Sequence, residues 1–419
     1  MERRVRNIGI ISTRIAGTDG VSLEIRKWTD VLERNGYSCF FFAGEIDRAD
    51  DKSYQADLAH FRNPDVKKIN AHGFGKTTRP KKISDLARKI KDKLKDSIDD
   101  FIKRFDIDLI IPENALTIPM NIPLGLAVTE YIAETSIPTI AHHHDFYWER
   151  DRFLINSVGD YLQKAFPPNL PSIQHVVLSS IASRALSYRV GVSNTVVPNV
   201  YNYAFPPQRS HPEILKSLRS KVGLKDDDIF ILQPTRVVQR KAIERSIELV
   251  SQLKLPRPFL IISHASGDEG SEYYERINEY ASLMNVKILP LDHLIVPDYY
   301  EGDFSENKYT IGDMYQAADL VSYPSVYEGF GNAFLEAIYY KKPIVVNRYT
   351  IFISDIEPKG FDLLLLDGLV TKKTINSVKT LLSDNSQREQ LADKNYQIAR
   401  RYFSYERLER ILSEIIERF

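Results

Sequence analysis

The stretch that most constrains this chain is Tyr323-Pro-Ser-Val-Tyr-Glu328-Gly-Phe-Gly-Asn-Ala-Phe-Leu-Glu336-Ala337, with Lys342-Pro-Ile-Val-Val346 behind it. Leu320 to Tyr323 ends an apolar run, Gly329 and Gly331 permit a tight turn, and Asn332 to Tyr340 holds helix formers without Pro or Gly. The order is strand, glycine turn, helix, strand. Such a turn opens onto a helix N-terminus, whose unpaired N–H groups and partial positive charge suit a phosphate or an array of hydroxyls. Glu328 in the turn and Glu336 in the helix bracket that end, and carboxylates accept hydrogen bonds from vicinal hydroxyls. A ligand with hydroxyls at both ends and a diphosphate between them, a nucleotide sugar, matches the layout. Alone, two Glu on a helix mean a solvated face and Gly-x-Gly a plain turn; the combination carries the reading.

Glu328-Gly-Phe-Gly-Asn-Ala-Phe-Leu-Glu336 resembles, without a gap, the signature of the retaining glycosyltransferases of family 4, in which two Glu flank seven residues that include a Gly-Phe-Gly turn. The resemblance implies that Glu328 lies against the donor sugar and Glu336 binds the ribose, with Gly329, Phe330, Gly331, Asn332 and Ala333 lining the donor between them. It also implies an α/β GT-B fold, two Rossmann-like domains facing across a cleft. The expected division is an acceptor domain at 1–203, a nucleotide-sugar domain at 204–400 and a C-terminal helix at 401–419 that returns to the first domain.

Length agrees with two domains, since 419 residues exceed what one core usually serves. Lys plus Arg and Asp plus Glu both total 56, so net charge gives no reason to expect nucleic acid as a partner. The single cysteine, Cys39, excludes an intrachain disulfide framework and a four-cysteine zinc site, which fits a cytoplasmic protein. Ile8 to Arg14 is too short and too soon interrupted for the apolar core of a signal peptide, and no apolar run approaches the roughly 18 residues of a membrane span. At most, contact with a membrane is peripheral.

Along the chain, Val5–Ile11 reads as a strand, Val21–Asn35 as a helix with an apolar stripe of Ile25, Trp28, Val31 and Leu32, and Tyr37–Ala43 as the next strand. Gly17 and Gly20, in the loop between the first strand and that helix, are placed to touch a donor phosphate. His72-Gly-Phe-Gly-Lys-Thr-Thr78 lacks the first glycine and the preceding strand of a nucleoside-triphosphate loop, and Asn63-Pro-Asp65 before it looks loop-like. The basic run Lys76–Arg104 reads as a solvated helix, with an anionic acceptor or lipid headgroup surface as the sharper alternative. Asp106 and Asp108 open a strand ending at Ile111 and are read as a structural edge, not a metal motif. Glu113 and Asn114 follow that strand and are candidate acceptor contacts.

His142-His-His144 invites a metal, but side chains alternate in an extended segment, so His143 points away from the other two and the trio cannot close one zinc site. The family resemblance matches His144-Asp145 best to its histidine that hydrogen-bonds a donor-sugar hydroxyl. Tyr147 and Trp148 are candidate walls for an acceptor sugar, with Arg150 beside them. Tyr201–Pro212 reads as the linker, and Asp228–Arg236 as the first strand of the second domain.

Arg236 and Lys241 lie five apart across a strand-to-helix turn, where cations can stabilise the diphosphate that leaves when the sugar bond breaks. The family carries Arg and Lys at this spacing against the donor phosphates; here Thr235 and Ala242 stand where it usually has glycines. Asp292, in the loop after the strand Val286–Pro290, can accept from guanine N1–H and N2–H₂ together, which favours a guanosine donor over a uridine one.

The resulting expectation is a retaining hexosyltransferase that needs no metal or other cofactor, moving mannose from GDP-mannose to a small anionic sugar such as glucosylglycerate. The Gly-Thr-Asp-Gly-Val-Ser-Leu-Glu and Pro-Glu-Asn loops look like those of enzymes making charged compatible solutes such as mannosylglucosylglycerate. The alternatives are a UDP-glucose-dependent glucosyltransferase acting on a lipid or polysaccharide, and a non-catalytic nucleotide-sugar sensor.

Overall fold

The computed structural model describes residues 5–17, 19–225, 227–264, 272–296 and 308–419. The chain divides into two compact units, Met1–Asn199 with Glu406–Phe419, and Val200–Tyr405. The first holds β1 (Asn7–Ile11), β2 (Ser38–Ala43), β3 (Ser53–Gln55), β4 (Leu109–Pro112), β5 (Thr139–His143), β6 (Ile173–Val177) and β7 (Asn194–Val196). They form one parallel sheet in the order β3-β2-β1-β4-β5-β6-β7.

The second unit holds β8 (Ile231–Gln233), β9 (Phe259–Ile262), β10 (Lys287–Pro290), a two-residue pair β11 (Ile295–Val296) and β12 (Tyr309–Thr310), then β13 (Leu320–Tyr323), β14 (Ile344–Asn347) and β15 (Leu364–Leu366). Its main sheet is also parallel, in the order β10-β9-β8-β13-β14-β15. Central strands such as Leu109–Pro112, Phe259–Ile262 and Ile344–Asn347 are buried along their whole length. Helices cover both faces of such a sheet, so these strands read as continuous apolar runs and not as alternating ones.

Strand order reverses between β1 and β4 in the first sheet and between β8 and β13 in the second. At such a reversal the two connections leave toward opposite faces and open a crevice at the carboxyl ends of the strands. The loops after β1, β4, β8 and β13 are therefore the ones to inspect, and they carry most of the residues singled out by sequence.

Local chemistry explains several elements. The helix Gly20–Arg34 starts where the Asp19 side chain accepts from the Val21 and Ser22 N–H groups, and it buries Ile25, Trp28, Val31 and Leu32. Asn63-Pro-Asp65 is not loop: it caps and opens the helix Pro64–Gly73, with Asn63 accepting from Asp65 N–H and Pro64 in the first turn, where its missing donor costs nothing. The expected linker runs at its last residue into a helix, Pro212–Lys221, that the sequence reading does not anticipate.

Asp106 and Asp108 lie just before β4, which starts at Leu109, and their role is structural. Asp106 is left-handed at φ 49°, and the Asp108 carboxylate accepts from Arg6 and Asn7 N–H at 2.9 and 3.0 Å, holding the start of β1. The basic helix Lys81–Arg104 spends its charge locally, Lys91 and Lys95 on Glu130, Lys95 on Glu134, and Lys103 on Asp99. Among the described residues no helix is long and apolar enough to cross a membrane.

Candidate functional site

In the second unit the chain leaves β8 through Pro234-Thr235-Arg236, makes one tight turn over Gln239–Lys241 and starts the helix Ile243–Leu253 at Ala242. Ala242 is left-handed, at φ 48° and ψ 50°. The loop thus keeps a glycine-like backbone although the residue is alanine, at a cost of roughly 1–2 kcal/mol. That geometry turns Lys241 inward and leaves Arg236 exposed, with no ion-pair partner among the described residues.

The loop after β13 is stitched to this one. Arg240 C=O accepts from Val326 N–H, and its guanidinium donates to Tyr327 O at 3.2 Å and to Glu328 Oε2 at 2.9 Å. The Lys241 ammonium donates to Glu328 Oε1. Glu328 is 7% exposed and Lys241 8%. Burial alone would raise the Glu328 pKa, but the charges of Lys241 and then Arg240 outweigh it and hold the carboxyl down at about 2. Lys241 is pushed below its ordinary value, first by burial and then by Arg240 and Arg236, with Glu328 opposing.

The sequence reading names Arg236 and Lys241 but gives Arg240 no role; its place in a Gln-Arg-Lys turn carries no signal until Glu328 is brought beside it. His264 is missed as well. It follows β9, and burial, then Lys241 and Arg236, lower its pKa to about 4 while Asp292 opposes them. The exits of β8, β9 and β10 thus gather Arg236, Lys241, His264 and Asp292 into one electrostatic neighbourhood. Asp292 itself is exposed and opens the turn Asp292–Leu294.

Beyond Glu328 the turn closes on Gly331, at φ 123°. A Cβ there would meet the Tyr349 hydroxyl at 2.4 Å, and that hydroxyl donates to Phe330 O at 2.6 Å, so both backbone angle and space demand glycine. Gly329 is not among the residues with positive φ. The helix Asn332–Tyr339 then starts with no side-chain cap, with Asn332 and Ala333 in its first turn. No side-chain cap competes with an anion at that N-terminus. Glu336 is partly exposed on this helix, and its Oε2 accepts from the Tyr315 hydroxyl at 2.8 Å.

In the first unit the sequence candidates fare unevenly. Gly17 is left-handed at φ 75°, but its N–H donates to Asp47 at 2.8 Å, and Gly20 is the first residue of the helix that Asp19 caps. A carboxylate already occupies that helix N-terminus, which leaves the loop fewer donors for a phosphate than expected. Glu113 is 1% exposed: its Oε1 lies 2.8 Å from His142 Nδ1 and 2.5 Å from His144 Nε2. It is committed to two imidazoles and is not a surface contact for an acceptor. Burial would raise the Glu113 pKa, but the neighbouring His142 and then the hydrogen bond from His144 bring it to about 2.

Asn114 is left-handed at φ 57°, and its side-chain oxygen accepts from His144 N–H at 3.3 Å. His143 faces the other way, between Thr117 and His175, as alternation requires. On the opposite side Glu113 joins His142 and His144 where a third histidine cannot reach. The ligand atoms of these three lie within 4.8 Å of one another, close enough to hold a metal ion. Trp148 stacks on Phe146, with ring centroids 4.4 Å apart, in a small cluster with Val177 and Leu186, while Tyr147 packs on the main core. Arg150 pairs with Asp145 at 2.5 Å. Packing therefore accounts for both aromatics, each of which keeps a partly exposed surface.

Comparison with known proteins adds to this geometry. The pattern described as Glycosyl transferases group 1 matches residues 303–398, which include the Glu328–Glu336 turn. A mannosylglucosylglycerate synthase of Thermotoga maritima is 33% identical over 97% of this chain and 98% of its own length. Another of the same name, from Petrotoga mobilis, is 31% identical over 86% of each. In structure, a glycosyltransferase from Rickettsia africae ESF-5 shares the fold over 99% of both chains, with a TM-score of 0.72 at 14% identity. Two parallel α/β sheets with their switch points at 1/4 and 8/13, the Glu328–Glu336 turn and full-length relatives agree: the chain belongs to glycosyltransferase family 4, the group 1 glycosyl transferases of GT-B fold, and is mannosylglucosylglycerate-synthase-like within it.

Proposed function

We propose that this enzyme transfers mannose from GDP-mannose, with retention, to a hydroxyl of a small anionic sugar such as glucosylglycerate. The observation that carries the reading is the junction of the β8 and β13 loops, where Arg240 and Lys241 hold a buried Glu328, with an exposed Arg236 on the same loop, beside a helix N-terminus with no side-chain cap. Fixed cations at that point stabilise a departing diphosphate, the largest charge change in the reaction, so the diphosphate itself needs no metal. An incoming diphosphate competes with Glu328 for Lys241 and Arg240, and this frees the carboxylate toward the sugar. Glu336 receives the ribose hydroxyls and Asp292 the guanine edge. His144 has Nε2 on Glu113, which leaves Nδ1 to meet a sugar hydroxyl.

The name of the relatives from Thermotoga maritima and Petrotoga mobilis, mannosylglucosylglycerate synthase, fits transfer of mannose to glucosylglycerate, while the guanosine carrier rests on the reading of Asp292. The test is a matrix of GDP-mannose and UDP-glucose against glucosylglycerate and a diacylglycerol acceptor, with nucleotide release measured and the product's anomeric configuration read by NMR. GDP release that depends on glucosylglycerate, with the donor configuration kept, is the expected result. Turnover with UDP-glucose on the lipid would replace this reading.

A further inference from the structure

We propose that Glu113, His142 and His144 form a binding site for one divalent transition-metal ion in the first unit. The ligands stand on rigid supports. Glu113 N–H donates to Ile11 O at 2.8 Å and Asn114 N–H to His142 O at 2.9 Å, which locks the exit of β4 to β1 and β5. Trp28 stacks on His142 with centroids 4.1 Å apart and fixes the ring plane.

Two buried groups here lack the partner their burial demands. His142 is 1% exposed, its Nδ1 sits 2.8 Å from Glu113 Oε1 without the direction of a hydrogen bond, and its Nε2 has no partner. Glu24, 0% exposed on the helix Gly20–Arg34, keeps Oε1 without a hydrogen bond although Oε2 pairs with Lys27 at 3.0 Å. Orphaned buried polar atoms of this kind point to a missing ion or ligand.

Charge points the same way. The ionised groups facing the cluster are Glu24 with Lys27, Asp145 with Arg150, and Glu113. Beyond those two pairs, Glu113 is a buried carboxylate facing two imidazoles, so a bound cation can stand in place of a proton as its counter-charge. Two imidazoles and one carboxylate suit zinc, cobalt, nickel, manganese or ferrous iron, whereas magnesium and calcium prefer oxygen shells. In a tetrahedral shell with bonds of about 2.1 Å the ligand atoms stand about 3.4 Å apart. The 2.5 and 2.8 Å contacts reach that by opening less than about 1 Å, a small side-chain rotation. Three protein ligands leave one position open, the pattern of sites that also bind a ligand oxygen.

The experiment needs no substrate, so its outcome stands apart from that of the transferase reading. Chelator-stripped protein is titrated with Co²⁺, with d–d absorption and metal content measured, and Zn²⁺ and Mg²⁺ are added as competitors. Expected are one Co²⁺ per chain, displacement by Zn²⁺ but not Mg²⁺, and a loss of affinity of about 100-fold or more in Glu113→Gln and His144→Gln. Trp28 fluorescence checks the fold of each variant; if Glu113→Gln does not fold, His144→Gln, whose side chain is 10% exposed, decides alone. Absence of d–d bands at millimolar Co²⁺, or equal binding by wild type and His144→Gln, overturns the site and leaves an adventitious ion only.

Discussion

The Glu328–Lys241–Arg240 junction makes a measurable demand on stability. The Glu328 carboxyl is held at about 2 against an ordinary 4.5. Its folded pKa is depressed, so the ionised form favours folding fully above pH 4.5, and that contribution fades as pH falls toward 2. A depression of this size corresponds to about 3 kcal/mol, of which about 2 kcal/mol is gone by pH 3. Glu328→Gln removes the titrating group but leaves Lys241 buried without its partner, so the variant is less stable than wild type at pH 6 and the gap narrows toward pH 3. Tryptophan fluorescence cannot read this, because Trp28 and Trp148, the two tryptophans of the chain, both lie in the first unit. Amide exchange of peptides covering 231–243 and 320–340 reads it directly, with opening free energies compared between wild type and variant at pH 6 and pH 3. A gap that stays constant within about 0.5 kcal/mol would mean that Glu328 is not held ionised by these cations, and the electrostatic account of the site would fail.

Three other predictions concern the same site. Arg236→Ala and Lys241→Ala should each lower turnover by about 100-fold or more, but Arg236 is exposed and its loss should leave stability unchanged, whereas loss of Lys241 also strands Glu328; near-normal turnover in Arg236→Ala would remove the phosphate role from this loop. Glu336→Gln, and more weakly Tyr315→Phe through the hydroxyl that holds Glu336, should raise the donor KM with kcat little changed, because the ribose is bound equally in ground and transition states. Glu328→Gln should instead lower kcat by two to three orders of magnitude, roughly as other lost transition-state contacts do, and steady-state kinetics at saturating acceptor would reverse the donor's direction along the helix if the two effects were exchanged.

How much of this was legible depended on whether the information lay within one segment. The second unit's site is built from two loops, and each declares itself locally: Arg236 and Lys241 flank one turn, and Glu328 and Glu336 flank another whose Gly331 is fixed by a Tyr349 hydroxyl that the sequence does not reveal. Arg240 and His264 have no local mark, because what makes them part of the site is a neighbour 88 residues away in one case and charges on other strand exits in the other. The first unit shows the same limit more sharply. Alternation along β5 correctly separates His143 from His142 and His144, but it says nothing about what faces the pair. Glu113, 31 residues before His144, reads as an acceptor contact because a carboxylate in a loop is usually solvated, and only the pairing of β4 with β5 buries it against two imidazoles. Asp19 shows the opposite failure: a local cap, visible in Thr-Asp-Gly, competes for the helix end that Gly17 and Gly20 suggested for a phosphate. The two sites therefore differ in kind. In the second unit a helix with no side-chain cap and an Arg236 with no ion-pair partner among the described residues can receive an anion, whereas in the first the helix end is closed by Asp19 and a buried carboxylate faces two imidazoles, so whatever completes that site is a cation or a hydrogen-bond donor and not the donor phosphate.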